Sequence, residues 1–348
     1  MTAALELRTL TDGGQRAADI GAGIVGWLGA AERTLDLALY DVRLPGPVGD
    51  AVAGALRAAK ARGVRVRIAI HDPHSQPPGH TTPPPATKPD VLAGTEADIR
   101  RIDGDGELMH HKFVVRDGAA LWCGSTNWTL DSWSREENVI VTAASAPLAA
   151  AYERTFEQLW TRRHLENTGN FDTRPIAVGD ASVRPWFCPG RGPELAHRIA
   201  AHVDRATRRV RVASPVLTSA PVLSALAEVL DEHRVDATGV VDLTQCEQAL
   251  RQWRANDQVS WKAPILERVL AGLRFSGKRS TPYAPGSVHD FMHAKTSVVD
   301  DVVFVGSFNL SRSGEENAEN VLEIADPALA DRVAAWIDEV RARYPAAR

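Results

Sequence analysis

The first seventy residues alternate between two hydrophobic periods. Asp19 to Ala31 places apolar and small residues at helical spacing, and Thr34 to Tyr40 then alternates with period two, as a strand does. Pro47 to Ala61 reads as a helix with Val48, Val52, Leu56 and Ala59 on one face, and Gly63 marks its stop. Val64 to Ile70 is the next strand. This strand–helix–strand order predicts a parallel pair joined by a right-handed crossover. The same order returns downstream, with a strand over Arg208 to Ser214, a helix over Pro221 to Glu232 and a strand over Ala237 to Asp242. The chain therefore reads as two similar halves, residues 1–166 and 167–348, with the Gly-, Pro- and Asp-rich stretch Thr168 to Pro193 as connector. Leu329 to Tyr344 reads as an amphipathic helix packed on the second half. Residues 73–90 hold seven prolines and read as a surface loop with polyproline character.

Within this repeat lies a second, chemical one. His110-His111-Lys112-Phe113-Val114-Val115-Arg116-Asp117 and His293-Ala294-Lys295-Thr296-Ser297-Val298-Val299-Asp300 share the pattern H-x-K-x-x-x-x-D. Each is followed by Gly-Ser-x-Asn (Gly124-Ser125-Thr126-Asn127 and Gly306-Ser307-Phe308-Asn309), then by an acid and an asparagine, Glu137-Asn138 and Glu319-Asn320. On a strand, residues two apart share a face, so His110 goes with Lys112 and His293 with Lys295, while His111 points away as a structural residue. The two glycines let the chain turn so that serine and asparagine reach back. Histidine is a nucleophile or general acid near neutral pH, and lysine supplies fixed positive charge for an oxyanion. Asparagine and serine add neutral hydrogen bonds, and a glutamate can hold the second ring nitrogen of an imidazole. One copy is half of an active site. Two facing copies give a nucleophile, a proton donor and two lysines around one negative centre, which suits a phosphodiester.

The duplicated motif resembles the phospholipase D superfamily, over about Leu35 to Ile324. The resemblance implies an α/β fold: two similar phospholipase-D-like domains, mixed sheets flanked by helices, related by a pseudo-two-fold axis with one site at their seam. It implies a covalent phosphohistidine intermediate with no metal and no cofactor. Carried over residue by residue, the catalytic set is His110, His293, Lys112 and Lys295, with Glu137 and Glu319 as histidine-orienting acids. Asn127, Asn309, Ser125 and Ser307 contact the phosphate, and Asp117 and Asp300 hold the local fold. By the same resemblance His110 is the nucleophile and His293 the acid. The motif aspartates argue against the tyrosyl-DNA branch, and Gly124 to Thr129 is similar to the small endonuclease and mitochondrial phospholipase-D-like branch.

Composition narrows the substrate only slightly. The 348 residues include 40 Lys+Arg against 44 Asp+Glu, a formal net charge of −4 that disfavours coating of nucleic acid by bulk charge. With 44% hydrophobic and 24% charged residues the chain is globular rather than disordered. The longest apolar stretch, Ile20 to Ala31, is short and broken by glycine, so no integral membrane segment is expected. Cys123, Cys188 and Cys246 lack disulfide or zinc spacing and read as reduced thiols. With no signal-like N-terminus, a cytoplasmic location is the expectation. The expected partner is a phosphodiester: a phospholipid head group, with transient membrane-surface contact, is slightly favoured. A nuclease acting on DNA or RNA is the alternative, and an idle scaffold a remote one. Secondary candidates are Lys278, Arg279 and Tyr283 at the site entrance, and Trp128 and Trp133 as pocket walls. Trp253 and Trp261 lie among Arg251, Arg254 and Lys262, where core packing with charged rims is the favoured reading. His71, Asp72, His74 and His80 form a weak metal pattern in the Pro-rich loop.

Overall fold

The computed structural model describes residues 5–72, 92, 94–284 and 286–347. The Pro-rich loop, with His74 and His80, lies outside the described residues.

The strands of the first half are β1 (Leu5–Leu10), β2 (Thr34–Leu39), β3 (Val42–Arg43), β4 (Arg65–His71), β5 (Asp98–Ile102), β6 (Lys112–Arg116), β7 (Ala120–Gly124), β8 (Trp128–Thr129) and β9 (Asn138–Ala144). Those of the second are β10 (Ile176–Val178), β11 (Ala181–Phe187), β12 (Arg209–Ser214), β13 (Asp236–Asp242), β14 (Ser276–Lys278), β15 (Thr296–Val299), β16 (Val302–Gly306) and β17 (Asn320–Ala325). Among the described residues they form a seven-stranded sheet ordered β1-β9-β7-β6-β2-β4-β5 and an eight-stranded sheet ordered β10-β11-β17-β16-β15-β12-β13-β14. A small parallel pair, β3–β8, stands apart. Leaving out β10, the two large sheets have the same order, strand for strand. The expected parallel pairs are present as β2–β4 and β12–β13.

The pleat explains the layers. Leu35, Leu37 and Leu39 of β2 face the helices Ala17–Gly29 and Pro47–Ala61, where Ile20, Ile24, Leu28, Val52 and Leu56 complete one core. Phe113 and Val115 of β6 face the other way, onto Leu148, Tyr152 and Phe156 of the helix Ala146–Arg162. The second sheet repeats this, with Gly192–Asp204, Ala220–Glu232 and Lys262–Gly272 on one face and Pro327–Ala342 on the other. The helices Ala146–Arg162 and Pro327–Ala342 share one continuous core that also takes in Met109, Met292, Ala294 and Ala318. Burial of those apolar faces against one another holds the halves together.

The sequence places a connector over Thr168 to Pro193; the structure places β10 and β11 inside it. β11 runs antiparallel to β17 and occupies the place β1 has in the first sheet. Its Pro185 pairs with Leu322 on one side and lies beyond the reach of β10, which covers only Ala181 to Val183. A proline is tolerated where no ladder bond is needed from its nitrogen. No helix among the described residues is long and apolar enough to cross a membrane. All three cysteines are buried free thiols.

Candidate active site

His110 lies two residues before β6 and His293 three before β15, each on a segment that pairs with the other half. His110 N donates to Ala318 O (3.0 Å) and His293 N to Glu137 O (3.1 Å), so each segment pairs with the acid-bearing segment of the opposite half. His110, His293, Asn127 and Asn309 line one cleft of about 880 Å³, together with Tyr40, Arg43, Gln248, Arg251, Arg279, Tyr283, His289 and Phe291. The cleft opens between the halves, where a pseudo-two-fold axis would pass.

The ring contacts are crossed as well. His110 Nδ1 meets Glu319 Oε1 at 2.7 Å, and His293 Nδ1 meets Glu136 Oε2 at 3.3 Å and Asn138 Oδ1 at 3.2 Å. The acid opposite His293 is thus Glu136, whereas the sequence repeat points to Glu137. The cause is a one-residue slip in pairing. Met109 bridges Ala318, but Met292 bridges Glu137, one position later than the repeat requires. A slip of one residue turns every side chain to the other face. Glu136 and Asn138 therefore face His293, and Glu137 faces away onto Lys278 (2.9 Å) and the Tyr344 hydroxyl (2.5 Å).

Lys112 and Lys295 are buried, and each donates to the carbonyl of its own motif histidine at 2.6 Å. Lys112 also lies over the Tyr40 ring, 5.0 Å from its centroid, and that ring meets His110 edge-on at 4.7 Å. Burial penalises charge on every member of the cluster. It lowers Lys112 to about 7 and Lys295 well below its ordinary value, the latter helped by repulsion from Lys112. Burial lifts Glu319 to about 8 and Glu136 to about 7, with the lysines pulling both back. Both imidazoles are held well below their ordinary value by burial and then by the lysines, so the resting rings are neutral.

The remaining expected residues fall in different places. Asn127 and Asn309 line the cleft, and each keeps a buried Oδ1 with no partner among the described residues. Ser125 and Ser307 do not line it, contrary to their expected place at the phosphate. Ser125 Oγ donates to Asn138 Oδ1 (2.7 Å) and accepts from Val139 N, and Ser307 Oγ accepts from Asn320 N (3.0 Å). They are kept there by close strand approach: a Cβ on Gly124 would stand 2.1 Å from Val139 O, and one on Gly306 2.0 Å from Asn320 O. Asp117 and Asp300, both at positive φ, take no part in the cleft. Asp117 accepts backbone N–H groups of Glu32, Arg33 and Thr34, and Asp300 those of Thr207, Arg208 and Arg209. His111 is buried against Asn320 Oδ1 at 3.1 Å, away from the cleft.

Arg279 and Tyr283 line the cleft as expected, but Lys278 is buried behind it. Trp128 and Trp133 are fully buried and pack edge-on in the first core rather than on the cleft. Trp261 is 54% exposed, with Lys262 beside its ring, so core packing does not account for it. His71 is buried and its Nδ1 accepts from Met109 N (3.3 Å), which makes it a support for the first motif. Glu136, Asn138, Tyr40 and His71 are the site residues that the motif comparison did not single out for these places. Only a register, not a spacing, could have found Glu136.

Two facing H-x-K half-sites on duplicated sheets define a class, the two-motif phospholipase D-like proteins. The sequence model of the family described as cardiolipin synthase, PLD-like domain, matches residues 24–160 and again 199–341, and the chain belongs to this family. It is 33% identical over 131 residues to the mitochondrial cardiolipin hydrolase of Xenopus laevis, covering 37% of this chain and 56% of that protein. It is 25% identical over 148 residues to phospholipase D Y of Dictyostelium discoideum, covering 41% of this chain and 31% of that protein. The chain thus spans 56% of the length of the first relative and 31% of the second. In fold it is similar to the phosphatidylserine synthase of Haemophilus influenzae, with a TM-score of 0.65 at 13% identity, over 98% of this chain and 86% of that one.

Proposed function

We propose that this chain cleaves or transfers a phosphodiester through a covalent phosphohistidine. The observation that carries the reading is the crossed pair of histidines in one cleft, each with its Nδ1 held from the opposite half: His110 by the Glu319 carboxyl group, His293 by Asn138 Oδ1 with the Glu136 carboxyl group 3.3 Å away. With Nδ1–H given to Glu319, His110 keeps its lone pair on Nε2, the nitrogen a nucleophile uses. The shorter His110–Glu319 contact favours His110 as the attacking ring. In the first step Nε2 of His110 forms a bond to phosphorus, the bond from phosphorus to the leaving oxygen breaks, and His293 gives that oxygen its proton. In the second, His293 takes a proton from water or an acceptor alcohol, the new oxygen bonds phosphorus, and the phosphorus–nitrogen bond breaks. Lys112, Lys295, Asn127 and Asn309 neutralise and orient the phosphoryl oxygens. An entering phosphate adds negative charge and favours the protonated His293 this step needs, with Glu136 beside it.

A phospholipid is the favoured substrate class, supported by relatives named for cardiolipin and phosphatidylserine. One observation favours nucleic acid as a second reading. Tyr283, His289, Phe291 and His293 form a run of neighbouring rings, with centroids 5.3, 5.1 and 6.5 Å apart. Gln245, Gln248, Arg251 and Gln252 face them from one side of the helix Leu243–Arg254. Rings and cations along a groove suit single-stranded bases.

The test is trapping with a p-nitrophenyl phosphodiester, whose leaving group needs no acid. His293→Ala is expected to accumulate label on His110, and His110→Ala to form none. Absence of any phosphohistidine in the wild type, with inversion at phosphorus, overturns the mechanism. Side-by-side turnover of phosphatidylcholine micelles, cardiolipin vesicles and single-stranded RNA decides the substrate class.

A further inference from the structure

A fully buried carboxylate requires partners, and Glu137 is fully buried outside the cleft. Its partners come from three remote segments. Lys278 Nζ at the end of β14 donates to Oε2 (2.9 Å), and the Tyr344 hydroxyl, just beyond the last helix, donates to Oε1 (2.5 Å). Asp12 N, just after β1, also donates to Oε1 (3.3 Å). Lys278 is itself held by Asp12 Oδ2 (3.1 Å) and Arg135 O (3.0 Å). The backbone carbonyl of Glu137 accepts from His293 N, and its neighbours Glu136 and Asn138 face the His293 ring. Asn138 Nδ2 also donates to Glu136 Oε2 (2.9 Å). Successive side chains at the entry to a strand point to opposite sides. Fixing Glu137 outward therefore fixes Glu136 and Asn138 inward. The other half has nothing comparable, because the residue before Glu319 is Ala318.

We propose that Lys278 and Tyr344 are positioning residues for the His293 half of the site, acting through Glu137 to hold Glu136 and Asn138 on the His293 ring. The network pins the one-residue slip that distinguishes this half from its repeat. It makes the proton-transfer half of the site depend on the docking of the segment after the last helix. The assignment rests on the reading of His293 as proton donor, and one arm of its test does not.

Tyr344→Phe removes one donor and keeps the ring. The expected result is a fall in kcat of about tenfold with KM unchanged, the size typical of removing a support to a functional ligand. In the resting protein the ring-nitrogen NMR signals of His293 shift and those of His110 stay in place. Lys278→Met alone leaves Glu137 buried without its cation, so the companion variant is Lys278→Met/Glu137→Leu, checked for folding by circular dichroism. It is expected to fold and to show the same His293-selective change. Wild-type kcat and unmoved His293 signals in both variants overturn the proposal, as does an equal disturbance of both histidines, which marks general loosening. If the wild type cleaves no phosphodiester, the kinetic arm falls with the function proposed above, and the NMR arm still decides the positioning role.

Discussion

At the scale of single residues, identity in the repeat does not guarantee identity of place. Glu137 and Glu319 correspond in sequence, yet only Glu319 reaches a histidine; by register Asn138 takes the place of Glu319 at His293, and Glu136 joins it from the place of Asn317. Glu136→Gln is therefore expected to lower kcat by about 10–100-fold, the usual loss when a hydrogen-bonding support is removed. Combined with His293→Gln it should add little, because the two act as a unit. A double-mutant cycle on kcat measures this, and independent, additive losses would show that Glu136 does not work through His293. Asn127 and Asn309 kept their expected cleft positions because the Gly-Ser-x-Asn spacing is local. The serines did not, since which side a residue faces after a strand end depends on the neighbouring strand.

At the scale of elements, the motif aspartates are joints. Asp117 sits at positive φ in the turn between β6 and β7 and collects the backbone N–H groups that lead into β2; Asp300 does the same between β15 and β16 for β12. Asp117→Ala and Asp300→Ala each leave such donors without their acceptor, at a cost of about 1–3 kcal/mol. The two sites share no partner, so the losses should add. Thermal unfolding is the check, with kcat of the still-folded protein unchanged. A selective loss of kcat with no fall in melting temperature would instead place these carboxylates in the chemistry. The hydrophobic periods located the helix Pro47–Ala61 to the residue and the strands they named, β2, β4, β12 and β13, to within one residue. They did not name β1, β5, β9, β14, β17 or the helix Ala146–Arg162, and they missed β10 and β11, whose Gly, Pro and Asp content masks short strands specified by their neighbours.

At the scale of the whole molecule, the two halves share both a core and a site. The helices Ala146–Arg162 and Pro327–Ala342 lie in one continuous apolar cluster, and every histidine–acid contact in the cleft crosses between halves. Residues 1–166 and 167–348 expressed separately should each be inactive, with activity returning when the pieces are co-expressed and co-purify. Turnover by one piece, monomeric by mass, would contradict the shared site.

The sequence by itself determined the duplication, the α/β periodicity of each half, and the residue types at the chemical centre. These are carried by local spacing: 3.6 for helices, two for strands, and fixed offsets within H-x-K and Gly-Ser-x-Asn. Only the tertiary structure decided which carboxyl group meets which histidine, that both contacts cross the seam, and that Lys278 and Tyr344 stand behind one of them. The physical reason is that strand register is set between segments remote in sequence. A single-residue slip, from Met109–Ala318 in one half to Met292–Glu137 in the other, exchanges the faces of the side chains while leaving the spacing along the chain untouched.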